Sequence, residues 1–520
     1  MSRRARSAST AADPGPRSDA PVNRPGRHRV LPATKRPGTL RFVNPSPARD
    51  AAERLASALA ADLVAIVGPD HALTDPSVVA GFETDWTGRF RGRALLVVRP
   101  GSAEEVAAVL RACAARGAGV VPQGGNTGLV GGATPDGHVV LSTTRLDELG
   151  SVDEGPAEIE VGAGATLEAV QAHVASHGLT TGVDLAARGS ATIGGMVATD
   201  AGGIRTVRYG TMRRQLVGIE AVLADGRLVR HDPRADADAG GVHLPSLLAG
   251  SEGTLGIVTR VRLRLVPRWR FRAVALVAFE DLASACAAIP RLRRSLPDLE
   301  AIEFVDQAGL ALVSAHAGMA APFRAAPAAS VLVETAADRP VLDELVAALD
   351  GLPGLHDAVA ADDGPDRTRL WSYRERVTEA IAAVGVSHKL DVGLPPATIP
   401  AFVAALGPAV VAAGPEARLV VFGHLAAGNL HVNVLGVDPA SEQVDDVILQ
   451  LVLAHGGSIG AEHGIGRAKA RWLSRARSPG ELAVQVAIKR ALDPGGLLNP
   501  GVLDPGVAPA HDHRPGPDGR

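Results

Sequence analysis

The chain has 520 residues, 46% of them hydrophobic, with 53 basic against 56 acidic side chains and a net charge of −3. That length accommodates two or three domains with their own cores. The near-zero charge supplies no basic field, so no nucleic-acid partner is expected.

Only Cys113 and Cys286 are present. This rules out a disulfide framework, a cysteine-rich zinc module and an internal iron–sulfur segment, and it fits a reducing, cytoplasmic setting. No stretch reads as the roughly eighteen apolar residues of a membrane span, so no transmembrane segment is expected.

Residues 1–45 are rich in Arg, Ser and Pro without apolar periodicity and are expected to form a disordered tail. Order begins near Ala51, where Leu55, Leu59 and Leu63 recur at helical spacing. Ala94–Val98 reads as a strand. Ser102 then caps a helix, Glu105 completes a capping box, and Val106, Val109, Leu110 and Cys113 share one face.

The next strand, Val120–Pro122, runs into VVPQGGNTGLVGGATP (Val120–Pro135), five glycines in sixteen residues with no charged side chain. Glycine lets a ligand lie against the backbone, and successive bare N–H groups form an anion nest suited to phosphate or pyrophosphate. The run has no lysine for a P-loop and leads into a strand, His138–Thr143, rather than the helix a dinucleotide turn requires. A glycine-rich surface loop is the alternative.

Glu158–Val161 (strand), Thr166–His177 (helix) and two strands around Asp225-Gly226 follow. In Thr259–Val266, Arg260, Arg262 and Arg264 alternate with Val261, Leu263 and Leu265, giving a strand with one wet and one buried face. Between them lie two more small-residue stretches, Gly182–Gly203 and Gly250–Gly256. Such stretches in one α+β domain suggest a long ligand clasped from both sides; unrelated floppy loops are the alternative.

From about Phe271 strands and helices alternate, as in an antiparallel sheet with helices on one face. A single helix is expected through Trp371–Val384. There Arg374 and Thr378 fall on one face, and Lys389 starts the next strand; a solvated charged helix is the alternative. In GHLAAGNLHVN (Gly423–Asn433), His431 and Asn433 share a strand face. In GGSIGAEHGIG (Gly456–Gly466), Glu462 and His463 sit among glycines. His424, His431 and Glu462 make a borderline-metal set with positions left open for substrate, and His463 remains free as a base. Each histidine alone also fits a structural role.

The segments PQGGNTGLVGG, GSATIGGMVATDAGG, GSEGTLGIVT, GHxxxGNLHxN, EHGIG and LDPGGLLNPG occur in this order. Together they resemble the FAD-dependent D-2-hydroxyacid dehydrogenases of the vanillyl-alcohol-oxidase / p-cresol-methylhydroxylase (PCMH) fold, over roughly residues 50–503. That family includes D-lactate and D-2-hydroxyglutarate dehydrogenases and the flavin subunit of glycolate oxidase.

The resemblance implies an α+β chain. A two-subdomain PCMH-type FAD-binding domain (46–270) would be followed by an antiparallel-sheet, ferredoxin-like cap (271–490), a C-terminal return (491–505) and a disordered tail (506–520). By resemblance, Pro122, Gln123, Gly124, Gly125, Asn126, Thr127, Gly128, Leu129 and Gly131 would hold the FAD pyrophosphate. Ser190, Thr192, Gly194, Gly195, Ala198 and Gly202 would line the flavin and ribityl chain. Glu252, Gly253 and Ile257 would close on the adenine side, and Asn499 would return to the isoalloxazine.

His424, His431 and Glu462 match the ligands of a divalent metal, zinc or manganese. Arg374, Thr378, Lys389 and Asn433 match the anchors of a small 2-hydroxyacid, and His463 matches the general base. Non-covalent FAD is expected, since no histidine lies inside the phosphate loop. The electron acceptor would be a quinone, cytochrome, electron-transfer flavoprotein or iron–sulfur subunit, with a homodimer and peripheral membrane attachment compatible. The alternatives are a flavoprotein oxidase of the same fold acting on another alcohol, or a non-autonomous flavin subunit of a multi-chain complex. Two departures stand out: Ala426 and Ala427 replace the family's Gly-Asp, which puts metal affinity in doubt, and no lysine follows Asn499-Pro500-Gly501.

Overall fold

The computed structural model describes residues 47–233 and 240–504. The expected tails, 1–45 and 506–520, lie outside the described residues. A helix, Pro47–Val67, leads in, with Leu59 and Leu63 fully buried. A four-stranded sheet follows, in the spatial order Ala72–Leu73, Arg93–Val98, Asp136–Ser142, Val120–Gln123. Its last three strands pair in parallel.

The helix Ala103–Ala115 makes the crossover and buries Val106, Val109, Leu110 and Cys113 against this sheet. Its start is capped twice. Ser102 Oγ accepts from Glu105 N at 3.2 Å, and the Glu105 carboxylate accepts from Gly101 N at 2.7 Å, one residue before the usual capping-box partner. The glycine run starts at the end of Val120–Gln123. Residues 497–499 lie alongside that strand, with Val120 N donating to Leu497 O and Asn499 N to Val120 O, both at 2.8 Å.

The second sheet has six strands centred on Ile257–Pro267, which pairs with Glu158–Gly162, Leu216–Val222 and Leu179–Thr181. Val261, Leu263 and Leu265 are buried, while Arg260, Arg262 and Arg264 point to the wetter face, as their alternation requires.

The third sheet is antiparallel with seven strands, in the order Leu355–Ala361, Phe271–Phe279, Ala329–Ala337, Leu299–Asp306, Arg418–His424, Asn429–Leu435, His388–Gly393. Helices cover both of its faces, not one. Along Phe271–Phe279, Ala273, Ala275 and Val277 pack with Ile289, Leu292 and Leu345, whereas Val274, Leu276 and Ala278 pack with Leu310, Leu370 and Ile381. A strand buried on both sides reads as a continuous apolar run, so its sequence gives no hint of a second layer.

Two further expectations change. The helix through Trp371–Val384 is two helices, Gly364–Glu375 and Val377–Val384, broken at Arg376. The stretch Pro396–Ala413 does pass the length and composition test for a membrane span, with a mean hydropathy of 1.7. It escapes notice because Ala, Gly and Pro dilute its aliphatic residues. Its helix, Ile399–Ala413, buries Ile399, Phe402, Leu406 and Val410 in the core, a spacing that matches one face of a core helix.

Candidate active site

A cavity of about 760 Å³ is lined on one side by the glycine-rich stretches and on the other by side chains of the seven-stranded sheet and the loop after residue 456. The first wall is mostly backbone. Gly125 packs so closely on the second stretch that a Cβ there would lie 1.7 Å from Ser190 O. Asn126 takes a left-handed conformation (φ 50°), and its side chain donates to Thr84 O at 2.9 Å. Among the described residues, no backbone N–H from Gly125 to Gly132 donates to a protein acceptor. Thr192 caps the short helix Ile193–Thr199 through Gly195 N.

Asn499 donates to Gly132 O at 2.9 Å and Glu252 O at 2.7 Å, while its own Oδ1, buried, has no partner. Free N–H groups and an orphaned buried acceptor are what a phosphate-bearing cofactor with its own donors would satisfy, so this wall fits FAD.

Sheet register builds the opposite wall. Lys389 stands opposite Asn433 and Asp391 opposite His431, while Phe422 and Glu303 face His431 and His424 from the neighbouring strands. A slip of one residue would turn this whole set to the other face. Nε2 of His424, His431 and His463 lie 3.2, 3.4 and 3.6 Å from one oxygen, Oε1 of Glu462. Lys389 Nζ donates to Asn433 Oδ1 at 3.2 Å and lies 5.5 Å from the Trp86 ring. Arg374 is bound by Glu303, with Nε to Oε2 at 2.8 Å, and it stacks over Phe422. The two walls touch: a Cβ on Gly202 would lie 2.9 Å from Glu462 Oε2.

Burial and charge oppose each other at His424, His431 and Glu462. Burial alone would lower the His424 imidazole, but Glu303 and Glu462 outweigh it and push it up to about 10. In that state the imidazolium is the positive charge between two carboxylates. Burial pushes His431 down to about 4, leaving it neutral. Burial works to raise Glu462, yet His424, His431 and His463 hold it at about 2. Burial also lowers Lys389, to about 8. Two neutralisable imidazoles and an ionised carboxylate converging on one point form a donor set suited to a borderline divalent ion. Asp391, His431, Glu462 and His463 likewise offer donor atoms all within 4.8 Å of one another.

Of the predicted cofactor, substrate, metal and catalytic residues, all line this cavity except Gly131, whose Cβ position abuts the Phe90 ring instead. Glu252 has a further role. It lines the cavity, but its buried carboxylate accepts from the N–H groups of Ile465 and Gly466 at 2.7 and 2.8 Å, so it ties the Glu462–His463 loop to the glycine wall. Ala426 is buried with its carbonyl held by Arg293, and Ala427 is exposed; neither lines the cavity.

Sequence reading missed Glu303, Asp391, Phe422 and Trp86. Asp391 had a signal: it is two residues after Lys389 on a strand, hence on the same face. Its Oδ2 accepts from the N–H groups of Ala461, Glu462 and His463 at 3.1, 2.7 and 3.0 Å, and its Oδ1 lies 3.3 Å from His431 Nδ1. Glu303 also had one, a carboxylate inside the apolar run LEAIEFVD.

Residues 94–232 match the FAD binding domain family, and residues 268–503 match the family of FAD linked oxidases, C-terminal domain. The D-2-hydroxyglutarate dehydrogenase of Xanthomonas citri pv. viticola is 38% identical over 446 residues, covering 83% of this chain and 93% of that one. The mitochondrial D-2-hydroxyglutarate dehydrogenase of Bos taurus is 36% identical over 454 residues, covering 84% and 82%. Among solved structures, substrate-bound p-cresol methylhydroxylase superposes with a TM-score of 0.71 at 17% identity, over 86% of this chain and 97% of that one, a likeness of fold.

Proposed function

The chain belongs to the FAD-binding D-2-hydroxyacid dehydrogenases, and from that premise we propose that it oxidises D-2-hydroxyglutarate to the 2-oxoacid with the help of a metal ion held by His424, His431 and Glu462. The observation that carries this reading is that the glycine wall and the His/Glu cluster open onto one cavity. We assign residues 46–270 to FAD binding, 271–490 to the cap and 491–505 to the returning segment.

When bound, FAD would accept a hydride, the substrate carbon's hydrogen with its two electrons, and the divalent ion, zinc or manganese, would polarise the substrate oxygens. The chain's own residues do the rest. The unpaired N–H groups between Gly125 and Gly132 receive the pyrophosphate without a lysine. Lys389 receives a substrate carboxylate, with Arg374, Thr378 and Asn433 around it. Arg374 is already paired to Glu303; among the described residues, Lys389 is the lysine or arginine of this cavity with no carboxylate partner. His463 takes the hydroxyl proton, its ring stacked on His431 at 5.2 Å.

The flavin is held without a covalent bond, and its electrons leave to a quinone, cytochrome, electron-transfer flavoprotein or iron–sulfur subunit. Anaerobic titration of the yellow protein with D-2-hydroxyglutarate, D-lactate, D-malate and glycolate tests the reading. D-2-hydroxyglutarate is expected to bleach the flavin fastest and its L-enantiomer not at all. Intact colour with all four would contradict it.

A further inference from the structure

Behind each of the two imidazoles proposed to ligate the metal stands a buried carboxylate, Glu303 behind His424 and Asp391 behind His431, and the one behind His424 is shared. Glu303 lies on the strand Leu299–Asp306, paired with His424 across the sheet, and is almost wholly buried. It does not line the cavity. Its oxygens divide their work. Oε1 accepts from His424 Nδ1 at 2.8 Å, and Oε2 accepts from Nε and a terminal nitrogen of Arg374, each at 2.8 Å.

We propose that Glu303 is a positioning residue: one carboxylate fixes both the ring of His424 and the guanidinium of Arg374, and so sets the spacing between metal ligation and carboxylate anchoring. This rests on the metal-assisted reading above.

The chemistry requires a carboxylate at this point. By taking the proton-bearing Nδ1, Glu303 leaves Nε2 directed at Glu462, the nitrogen a metal would use. By taking the Nε edge of Arg374, it leaves part of the five-donor fork for the cavity, while the Phe422 ring 4.7 Å away fixes the plane. An amide of the same shape has one acceptor, so it could satisfy His424 or Arg374 but would set an N–H against the other. Asp391 offers a contrast. It backs His431, but its other oxygen is spent on three loop N–H groups and on no cavity cation.

The test measures zinc affinity by chelator competition, with metal content read directly, on flavin-loaded wild type, Glu303→Gln, Glu303→Asp and Arg374→Met. Glu303→Gln is expected to bind zinc about 10- to 100-fold more weakly, the range for outer-shell partners, and to raise KM for the hydroxyacid. Arg374→Met should hold zinc within about threefold of wild type while losing hydroxyacid binding, because Oε1 of Glu303 still holds His424. Glu303→Asp keeps the charge but is one methylene short. It should fold and still lose at least about threefold in zinc affinity, which covers the case in which the amide variant does not fold. Wild-type zinc affinity in both Glu303 variants, with only a lower Tm, would reduce Glu303 to a fold support and overturn the proposal. A wild-type protein that takes up no stoichiometric metal would instead remove the metal-assisted reading itself, and this inference with it.

Discussion

Along residues 122–132 and 190–203 the cavity wall offers backbone: bare N–H groups, a capped short helix and almost no side chain of size. Across the cavity, residues 374–463 offer imidazole, ammonium, guanidinium and carboxylate groups, each held by a second buried group. The first wall binds through the absence of side chains, so its specificity lies in close packing. The second binds through charge in a low-dielectric setting, so its specificity lies in pairing and protonation. Substitutions should therefore fail differently on the two walls: those on the first lose the flavin, and those on the second keep the flavin and lose turnover.

The largest effect is expected from His463→Ala. Removing the base should lower kcat by about 10²- to 10⁴-fold with flavin content unchanged, read by absorbance alongside turnover. Metal removal comes next. Chelation should cost several kcal/mol of transition-state stabilisation, on the order of 10²- to 10³-fold in rate, while the protein stays yellow. On the other wall, Gly125→Ala sets a methyl against Ser190 O. An overpacking cost of about 1–3 kcal/mol or more should weaken flavin retention by about tenfold or more after gel filtration, and added FAD should restore the rate.

A smaller effect is expected from pH. Burial holds Lys389 at about 8, so the ammonium is present below that value and is lost as pH rises through it. kcat/KM for the hydroxyacid should fall above pH about 8, and Lys389→Arg, which stays charged, should remove that limb. A limb unmoved in Lys389→Arg would assign the titration to another group. The smallest change is expected from Ala427→Asp. Residue 427 is exposed and outside the cavity lining, so metal affinity should move by less than about threefold.

The same contrast explains what could be read from the amino acids alone. Bare glycine runs, and a histidine and an asparagine two apart on a strand (His431 and Asn433), are local patterns, so both walls were visible, as were the strand alternation at Arg260–Leu265 and the helix cap at Ser102. What stayed hidden depends on pairing between distant strands. Glu303 meets His424 across 121 residues, and only the register of the seven-stranded sheet brings them together. The second helical layer was hidden because a strand covered on both faces loses its alternation. The break at Arg376 was hidden because no proline or glycine marks it.

The metal proposed at His424, His431 and Glu462 is expected to act directly on flavin reduction. This is tested most directly by the rate at which D-2-hydroxyglutarate reduces the bound flavin in a single anaerobic turnover, measured on the same protein as isolated, after chelation, and after zinc or manganese is returned. Expected are fast reduction, a loss on the order of 10²-fold or more with the flavin still bound, and recovery. An unchanged rate in the chelated, metal-free protein would contradict this.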